Sequence, residues 1–219
     1  SNVKRVTFTS IPCIGEYAFC NGKNTESVTG SIKSVSQYSF ASCQKLPSIT
    51  ITDDDVIEEW AFGQCSALKS VTLPDNLKEL QYAAFLWCSS LAEIQLPNTV
   101  EKFQRAVFKG CTSLKEITLP ATVSTFNAQV FMNCSNLANV TVLNPTPVAL
   151  TESMDVFNGI SATAELNVPS SSLNAYKTAE VWKNFYSYFA ADGIKLVDGE
   201  PYTNEVIQEN VPMVRYTRN

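Results

Sequence analysis

Histidine is missing from this 219-residue chain. Its absence excludes Ser-His-Asp and Cys-His catalytic arrangements and every zinc site that needs an imidazole ligand. Positive charge is also scarce, with 16 Lys and Arg residues against 21 Asp and Glu residues. An acidic chain lacks the basic footprint that binds phosphate backbones, so nucleic acid is not an expected partner. No cofactor is expected either, and the composition disfavours an enzyme.

Long apolar runs are lacking as well. No uninterrupted apolar stretch approaches the ~20 residues that span a bilayer, and the N-terminus lacks the charged and apolar segments of a signal peptide. We therefore expect no membrane span in this segment. The 45% hydrophobic content is normal for a packed protein. The abrupt ends at Ser1 and Asn219 are what a piece of a longer protein would show.

A repeat of 23 residues dominates the chain. Three residue types keep this step: Phe62, Phe85, Phe108 and Phe131; Cys65, Cys88, Cys111 and Cys134; Leu68, Leu91, Leu114 and Leu137. A shorter unit precedes them and begins at Phe40, and a more degenerate one contains Phe19. A fixed period of this length is the signature of a stacked repeat architecture.

Each unit contains two predicted extended segments. Apolar and polar residues alternate in Ile94–Leu96 and Ile117–Leu119, which is the period of a half-buried strand, and the proline that follows ends it. Val100–Phe103 predicts a second short extended or turn segment. After the second segment, Ala106–Cys111 has room only for a single helical or 3₁₀ turn.

One unit cannot bury its own apolar side, so successive coils must stack with their strands parallel, ~4.8 Å apart. The crossover rule makes the resulting solenoid right-handed. The core is predicted to consist of the repeated Phe, Cys, Leu and Ile or Val positions. About six coils of ~23 residues are expected over residues 1–143.

The repeated residues resemble the BspA-like leucine-rich repeats of bacterial surface proteins, over about residues 3–143. The pattern departs from that family at Asp53–Asp55, where the proline is missing, and at Asn21–Ser27, where the leucine is missing. Residues 144–190 are similar to the segment that closes such arrays in Bacteroides-type proteins, with Tyr176, Trp182 and Phe185 expected to pack as a C-terminal cap. Residues 191–219 are predicted to form a junction or the start of a following domain.

The expected fold is thus α/β, mostly β: a right-handed leucine-rich-repeat solenoid with a parallel sheet and a C-terminal cap. Alternation places ten polar side chains on one exposed face, which we call the strand face. Its residues are Ser48, Thr50, Ser70, Thr72, Glu93, Gln95, Glu116, Thr118, Asn139 and Thr141. These side chains are candidates for ligand binding, although threonine also suits a strand whatever it contacts.

A second candidate surface is the aromatic row, formed by Tyr17, Tyr38 and Trp60. Each stands two residues before a repeat phenylalanine, so the three should lie side by side on neighbouring coils. Aligned aromatic rings can stack on sugars. The same position holds Ala83 and Ala106 in later units, so a variable outer edge is equally consistent.

The cysteines and the acidic cluster have structural interpretations. Six of the seven cysteines follow the repeat, and no close pair has zinc-site spacing, so buried core packing is predicted. A Cys13–Cys20 disulfide stays open as a minor alternative. Asp53–Asp55 with Glu58 and Glu59 offers oxygen ligands for calcium but lacks EF-hand spacing, so a solvated loop is favoured and no metal site is predicted.

The resemblance implies a cell-surface or secreted protein of a host-associated bacterium. Its expected role is non-catalytic adhesion: a monomer that binds host or microbial surface proteins or glycans through the strand face. The alternative is a structural stalk or spacer that displays a downstream domain.

Overall fold

The chain winds through about eight right-handed turns, in agreement with the solenoid predicted from the repeat. The computed structural model describes residues 3–190 and the backbone of two short strands at 196–197 and 200–201. The rest of the predicted junction, residues 191–219, lies outside the described residues. The predicted division between repeats and cap at residue 143 stays a prediction.

The strands, numbered along the chain, are β1 (Arg5–Thr7), β2 (Cys13–Ile14), β3 (Ser27–Thr29), β4 (Ser34–Val35), β5 (Ser48–Thr50), β6 (Val56–Ile57), β7 (Ser70–Thr72), β8 (Glu79–Leu80), β9 (Lys102–Phe103), β10 (Glu116–Leu119), β11 (Thr125–Phe126), β12 (Asn139–Val142), β13 (Glu165–Val168), β14 (Ser187–Ala190), β15 (Leu196–Val197) and β16 (Glu200–Pro201). One α-helix, α1, spans Leu173–Thr178, and 3₁₀ turns span Glu152–Met154, Ser170–Ser172 and Trp182–Asn184.

The longer strands form the first side of the solenoid. Parallel pairing joins β1 to β3, β5 to β7, and β10 to β12, β13 and β14 in succession. In β10 the buried residues Ile117 and Leu119 alternate with the exposed Glu116 and Thr118. The alternation that predicted the strand therefore also separates the core from the strand face.

The predicted strand at Ile94–Leu96 is wrong, because the segment joins no ladder. The backbone hydrogen bond that links neighbouring coils at this level is long. Lys115 N lies 3.4 Å from Ala92 O, whereas the equivalent distance in the next pair of coils, from Ala138 N to Lys115 O, is 2.9 Å. The two coils are thus spread apart at this level. Ile94 nevertheless stays buried, so the predicted inward and outward directions hold.

The predicted second extended segment is confirmed and forms another parallel sheet. It joins β2 to β4, and separately β6 to β8, β9 and β11. Phe103 in β9 and Phe126 in β11 stack at 5.1 Å between ring centroids, so aromatic packing continues beneath this side.

The third side of each coil contains the repeat phenylalanine, and it does not form the predicted helical or 3₁₀ turn. Each coil instead has two residues in the left-handed region, at two residues before (−2) and two residues after (+2) the repeat phenylalanine. In the Phe40 coil these are Tyr38 and Ser42, with φ of 56° and 60°. The backbone N–H groups of Tyr38, Phe40 and Ser42 all donate to carbonyls of the next coil at 2.8–2.9 Å. The left-handed pair therefore turns three donors toward the neighbouring coil, which a helical turn would not do.

The core is one continuous cluster that extends from Ile14 to Phe185. The repeat phenylalanines stack along it with nearly parallel rings: the centroid distance is 5.6 Å between Phe40 and Phe62 and 5.5 Å between Phe108 and Phe131. The repeat leucines from Leu46 to Leu137 are fully buried. The predicted composition of the core is confirmed.

The repeat cysteines link neighbouring coils as well as filling space. The thiol of Cys88 donates to the carbonyl of Phe62 at 3.1 Å, and that of Cys111 donates to the carbonyl of Phe85 at 3.2 Å. Burial raises the pKa of Cys88 and Cys111 well above the ordinary value, and it raises the pKa of Cys134 to about 12. A small residue with a weak donor thus adds a second hydrogen bond to a carbonyl that already accepts one from its own coil, as Phe62 O does from Cys65 N.

One further coil, centred on Phe157, closes the array. Its ring stacks on Phe131 at 5.6 Å, and Asp155 and Gly159 occupy its two left-handed positions. Behind it lie α1 and the aromatic residues expected in the cap. Trp182 is fully buried, and its indole N–H donates to Val148 O at 2.8 Å.

Asp54 bridges the gap in the second sheet between β4 and β6. Its carboxylate accepts hydrogen bonds from Val35 N at 2.9 Å and from Val56 N at 3.4 Å. Partial burial raises the pKa of Asp54, although the two N–H groups act in the opposite direction. The side chain takes the place of the backbone ladder, which is interrupted at Asp53–Asp55, where the sequence departs from the repeat pattern.

Leu114→Ala should destabilise the protein by ~2–5 kcal/mol, because it opens a cavity in the middle of the stack. Leu114 is fully buried, whereas the adjacent Lys115 is exposed. The matched control Lys115→Ala should therefore change the free energy of unfolding by less than ~0.5 kcal/mol. Urea denaturation measures both, and equal losses would contradict the inside–outside assignment.

Iodoacetamide should label Cys13 in the native protein and leave Cys65, Cys88 and Cys111 unmodified, because only a thiolate that is accessible to the reagent reacts. Cys13 is exposed, whereas the other three are fully buried. Peptide mapping by mass spectrometry before and after unfolding measures the difference. Labelling of Cys88 as fast as Cys13 in the folded protein would be inconsistent with the buried thiol row.

Asp54→Asn should remove one pH-dependent contribution to stability. Because the folded-state pKa of Asp54 lies above its unfolded value, the folded state binds this proton more tightly. The unfolding free energy of the original protein, relative to the variant, should therefore rise as pH falls from about 7 to about 4. Denaturation at both pH values measures this; a relative fall would contradict the raised pKa.

Candidate binding surfaces

The strand face consists of two parallel rows of side chains. Pairing aligns Ser48 with Ser70 and Thr50 with Thr72, and in the later coils Glu116 with Asn139 and Thr118 with Thr141. Glu93 and Gln95 are exposed on either side of the buried Ile94, between these two groups of strands. Neighbours within a row are ~4.8 Å apart, and the rows are ~6.6 Å apart along the strands. Eight of the ten predicted residues are exposed, and Thr50 and Thr141 are partly buried. The structure thus brings all ten predicted residues onto one surface.

The same surface extends beyond the predicted residues at both ends. Thr7 and Thr29 continue the second row, and their hydroxyl groups lie 2.9 Å apart. At the other end Glu165 and Asn167 pair with Asn139 and Thr141. Aligning Arg5–Thr7 with Ser27–Thr29 in the sequence could have identified the first pair.

Charge divides the strand face into two parts. The first row is neutral at Ser48 and Ser70 but acidic at Glu93 and Glu116. The second row carries hydroxyl and amide groups throughout, as at Thr118. The face therefore offers hydrogen-bonding groups along its whole length and negative charge in its C-terminal half.

The aromatic row is assembled, but its rings face one another. Tyr17 and Tyr38 stack at 4.9 Å with a 7° angle between planes, and Tyr38 and Trp60 stack at 5.8 Å with the same angle. Tyr82 closes the row with an edge contact to Trp60 at 6.4 Å. Mutual stacking covers most of the ring faces, and a ligand would meet ring edges, except at the outer face of Tyr17. A binding role for this row stays a prediction.

The side chains of the acidic cluster do not converge on one point, and each interacts with a different partner. Asp53 forms an ion pair with Lys33 at 3.6 Å, and Glu59 accepts a hydrogen bond from the hydroxyl of Tyr38 at 3.1 Å. Within the part of the chain that the structure describes, no three His, Cys, Asp or Glu side chains converge as metal ligands. The carboxylates here connect coils to one another.

The two N-terminal cysteines are free thiols. Cys13 is exposed in β2, and Cys20 is partly buried at the repeat position. The open alternative of a Cys13–Cys20 disulfide is therefore not formed in this structure.

A groove that the sequence did not predict crosses the third side. We call it the Trp87 groove; it has a volume of about 520 Å³, and it is lined by Gln44, Gln64, Ser66, Trp87, Ser89, Gly110, Thr112 and Asn133. Trp87 stands at the +2 position, and half of its surface is exposed. Because the residue at the +2 position varies between coils, no repeated motif predicts a tryptophan there.

A cavity of about 400 Å³ separates the Phe157 coil from the cap. Its lining includes Glu152, Asp155, Asn158 and Tyr186. Val181, which also contacts it, has φ of 69° and ψ of −50°. This conformation is strained for a β-branched residue, at a cost of about 1–3 kcal/mol.

Among the described residues, no helix is long and apolar enough to cross a membrane. Solved structures with a similar fold include two bacterial proteins. A Treponema pallidum leucine-rich repeat protein is 23% identical, with a TM-score of 0.57, over 77% of this chain and 74% of that one. The pneumococcal vaccine antigen PcpA is 18% identical, with a TM-score of 0.60, over 86% of this chain and 42% of that one.

Among curated proteins, none matches this chain. A family model does: the BspA type leucine rich repeat region matches six copies over residues 1–114 and 33–149. These matches cover the Phe, Cys and Leu rows that build the core. The chain therefore belongs to the BspA-type leucine-rich-repeat family.

Proposed function

We propose that this chain is a non-catalytic binding module that recognises macromolecules of host or microbial surfaces through its strand face, acting as a monomer. The observation that carries this proposal is the uncovered double row of polar side chains along the first side. Eight of its ten predicted residues are exposed, and no described element packs over it.

Rigidity supports the proposal. The strand face lies on one continuous core, and parallel ladders join its strands on both sides of the Ile94–Leu96 segment. A surface that is ordered before binding loses little conformational entropy when a ligand arrives, so many weak contacts can add up to useful affinity. The ligand would be a protein or glycan surface with complementary hydrogen-bonding groups, and with basic groups opposite Glu93 and Glu116.

A location at the cell surface or outside the cell is part of the same proposal. It is supported by membership in the BspA-type family and by the similarity to PcpA, a pneumococcal vaccine antigen. Catalysis is not proposed: Glu93 and Glu116, the paired carboxylates of the strand face, are both exposed on adjacent coils. Turnover in a glycan-hydrolysis assay would contradict this assignment.

The alternative role is a spacer that displays a downstream domain of a longer protein. The continuous hydrophobic column supports it, since a stack of this kind resists bending between coils. In that case the isolated array would bind nothing in a ligand screen in which the full-length protein binds.

The triple variant Thr72→Lys, Gln95→Lys and Thr118→Lys should reduce binding to host cells or matrix proteins by at least about tenfold, because three long charged side chains would project from the middle of the face. The matched control is Asn98→Lys, Ala121→Lys and Ser124→Lys, which adds the same charge at exposed positions outside the strand face. Solid-phase binding assays measure both variants after thermal unfolding confirms that they fold. Unchanged binding by the folded strand-face variant would remove this face from consideration.

A further inference from the structure

The Trp87 groove lies on a different side of the solenoid from the strand face and differs from it in composition. Its eight lining residues include no charged side chain, in a chain in which 17% of residues are charged. It is a shallow, open groove with a volume of about 520 Å³, so a ligand would lie along the surface of the solenoid. The only aromatic ring in its lining is the half-exposed indole of Trp87.

Gly110 makes room for this indole. A Cβ atom at Gly110 would lie 2.2 Å from Cδ1 of Trp87, 2.9 Å from Nε1 and 3.4 Å from Cγ. The two atoms bonded to Cδ1 lie 0.7 and 1.2 Å farther from this position, which is more than an approach over the ring face would give, so the ring approaches Gly110 by its edge. An edge contact hides the narrow side of the ring, so the exposed surface includes ring face. Nε1 has no hydrogen-bond partner among the described residues and stays available as a donor.

Hydroxyl groups form a regular row beside the indole. Ser66, Ser89 and Thr112 occupy the same position in three successive coils, four residues after the repeat phenylalanine. Ser89 donates to Ser66 O at 3.4 Å, and Thr112 donates to Ser89 O at 3.3 Å. These bonds fix the direction of the hydroxyl groups and leave their oxygen lone pairs free to accept. The side-chain amides of Gln44 and Asn133 belong to the outermost coils of the groove, and that of Gln64 belongs to the same coil as Ser66.

We infer that the Trp87 groove binds a neutral oligosaccharide. The apolar face of a pyranose ring would stack on the indole, and the sugar hydroxyl groups would exchange hydrogen bonds with the hydroxyl row and the flanking amides. A linear glycan presents the same groups at each unit, as the hydroxyl row does over three successive coils. Tryptophan suits this role because it supplies a large rigid contact at little entropic cost.

Other ligand classes fit the groove less well. Acidic glycans and nucleic acids would require cationic side chains, which the lining lacks. An extended peptide would add to a free strand edge or insert side chains into apolar pockets. Here the backbone donors are already used: Gln64 N donates to Leu86 O, and Trp87 N donates to Lys109 O.

A panel of neutral hexasaccharides built from glucose, mannose or galactose tests the inference. At least one should bind the intact chain with saturation in isothermal titration calorimetry and should shift the tryptophan fluorescence. Trp87→Ala should weaken that binding at least about tenfold, as expected for a central aromatic contact. Gly110→Ala should weaken it while keeping the tryptophan, because the new Cβ displaces the indole.

Two control variants distinguish binding in the Trp87 groove from binding elsewhere on the surface. Tyr17→Ala removes an exposed aromatic residue outside the groove and should leave hexasaccharide binding unchanged. The Thr72, Gln95 and Thr118 lysine variant should also retain it, so failure of the strand-face proposal and failure of this one are distinguishable. The inference is overturned if no neutral hexasaccharide binds, if folded Trp87→Ala binds as well as the original chain, or if the groove instead binds acidic glycans or peptides.

Discussion

Each coil of this protein depends on the next because a unit of about 23 residues has only one apolar side and leaves backbone groups unpaired on three. Stacking satisfies both needs at once. Parallel ladders join the coils on the first and second sides, and left-handed residues at −2 and +2 aim three N–H donors of each coil at the next on the third side. The remainder of the structure follows from keeping these three sets of bonds in register.

The repeat phenylalanine and the repeat cysteine are linked by the hydrogen bonds between neighbouring coils. Between the two left-handed residues, the phenylalanine N–H donates toward the next coil, while its carbonyl accepts the thiol of the next coil's cysteine, as in the pair Phe62 and Cys88. The phenylalanine rings stack at the same level. A larger residue at the cysteine position would prevent the coils from closing, whereas alanine would remove the thiol and leave the carbonyl only the backbone donor of its own coil, as Cys65 N donates to Phe62 O. The two residue types therefore recur together for one physical reason.

The sequence was sufficient to predict what depends on period and alternation. The rows of Phe, Cys and Leu, the buried Ile117 and the exposed Thr118 all follow from spacing. Features that depend on local backbone conformation were not predictable in this way. Tyr38, Trp60 and Ala83 all adopt positive φ, and none of these residue types signals a left-handed conformation.

Two further differences from the predictions have separate origins, one in an interrupted period and one in the spacing between coils. The Phe157 coil lies 26 residues after Phe131 and has Ile160 in place of the cysteine, so the repeat pattern does not reveal it. At Ile94 the apolar alternation is intact, but a slightly wider spacing between coils stretches the ladder. Alternation reports which way side chains point, whereas hydrogen bonding also requires the neighbouring coil at the correct distance.

The tolerance of the +2 position explains how one fold can carry more than one surface. The backbone there is held by its N–H bond to the next coil and by its left-handed conformation, so the side chain is free to vary from Ser42 to Gln64, Trp87 and Gly110. Placing a bulky ring at one coil then requires only a glycine at the next, which is the pairing of Trp87 with Gly110. A pair of complementary substitutions in adjacent coils can thus create a groove without disturbing the core.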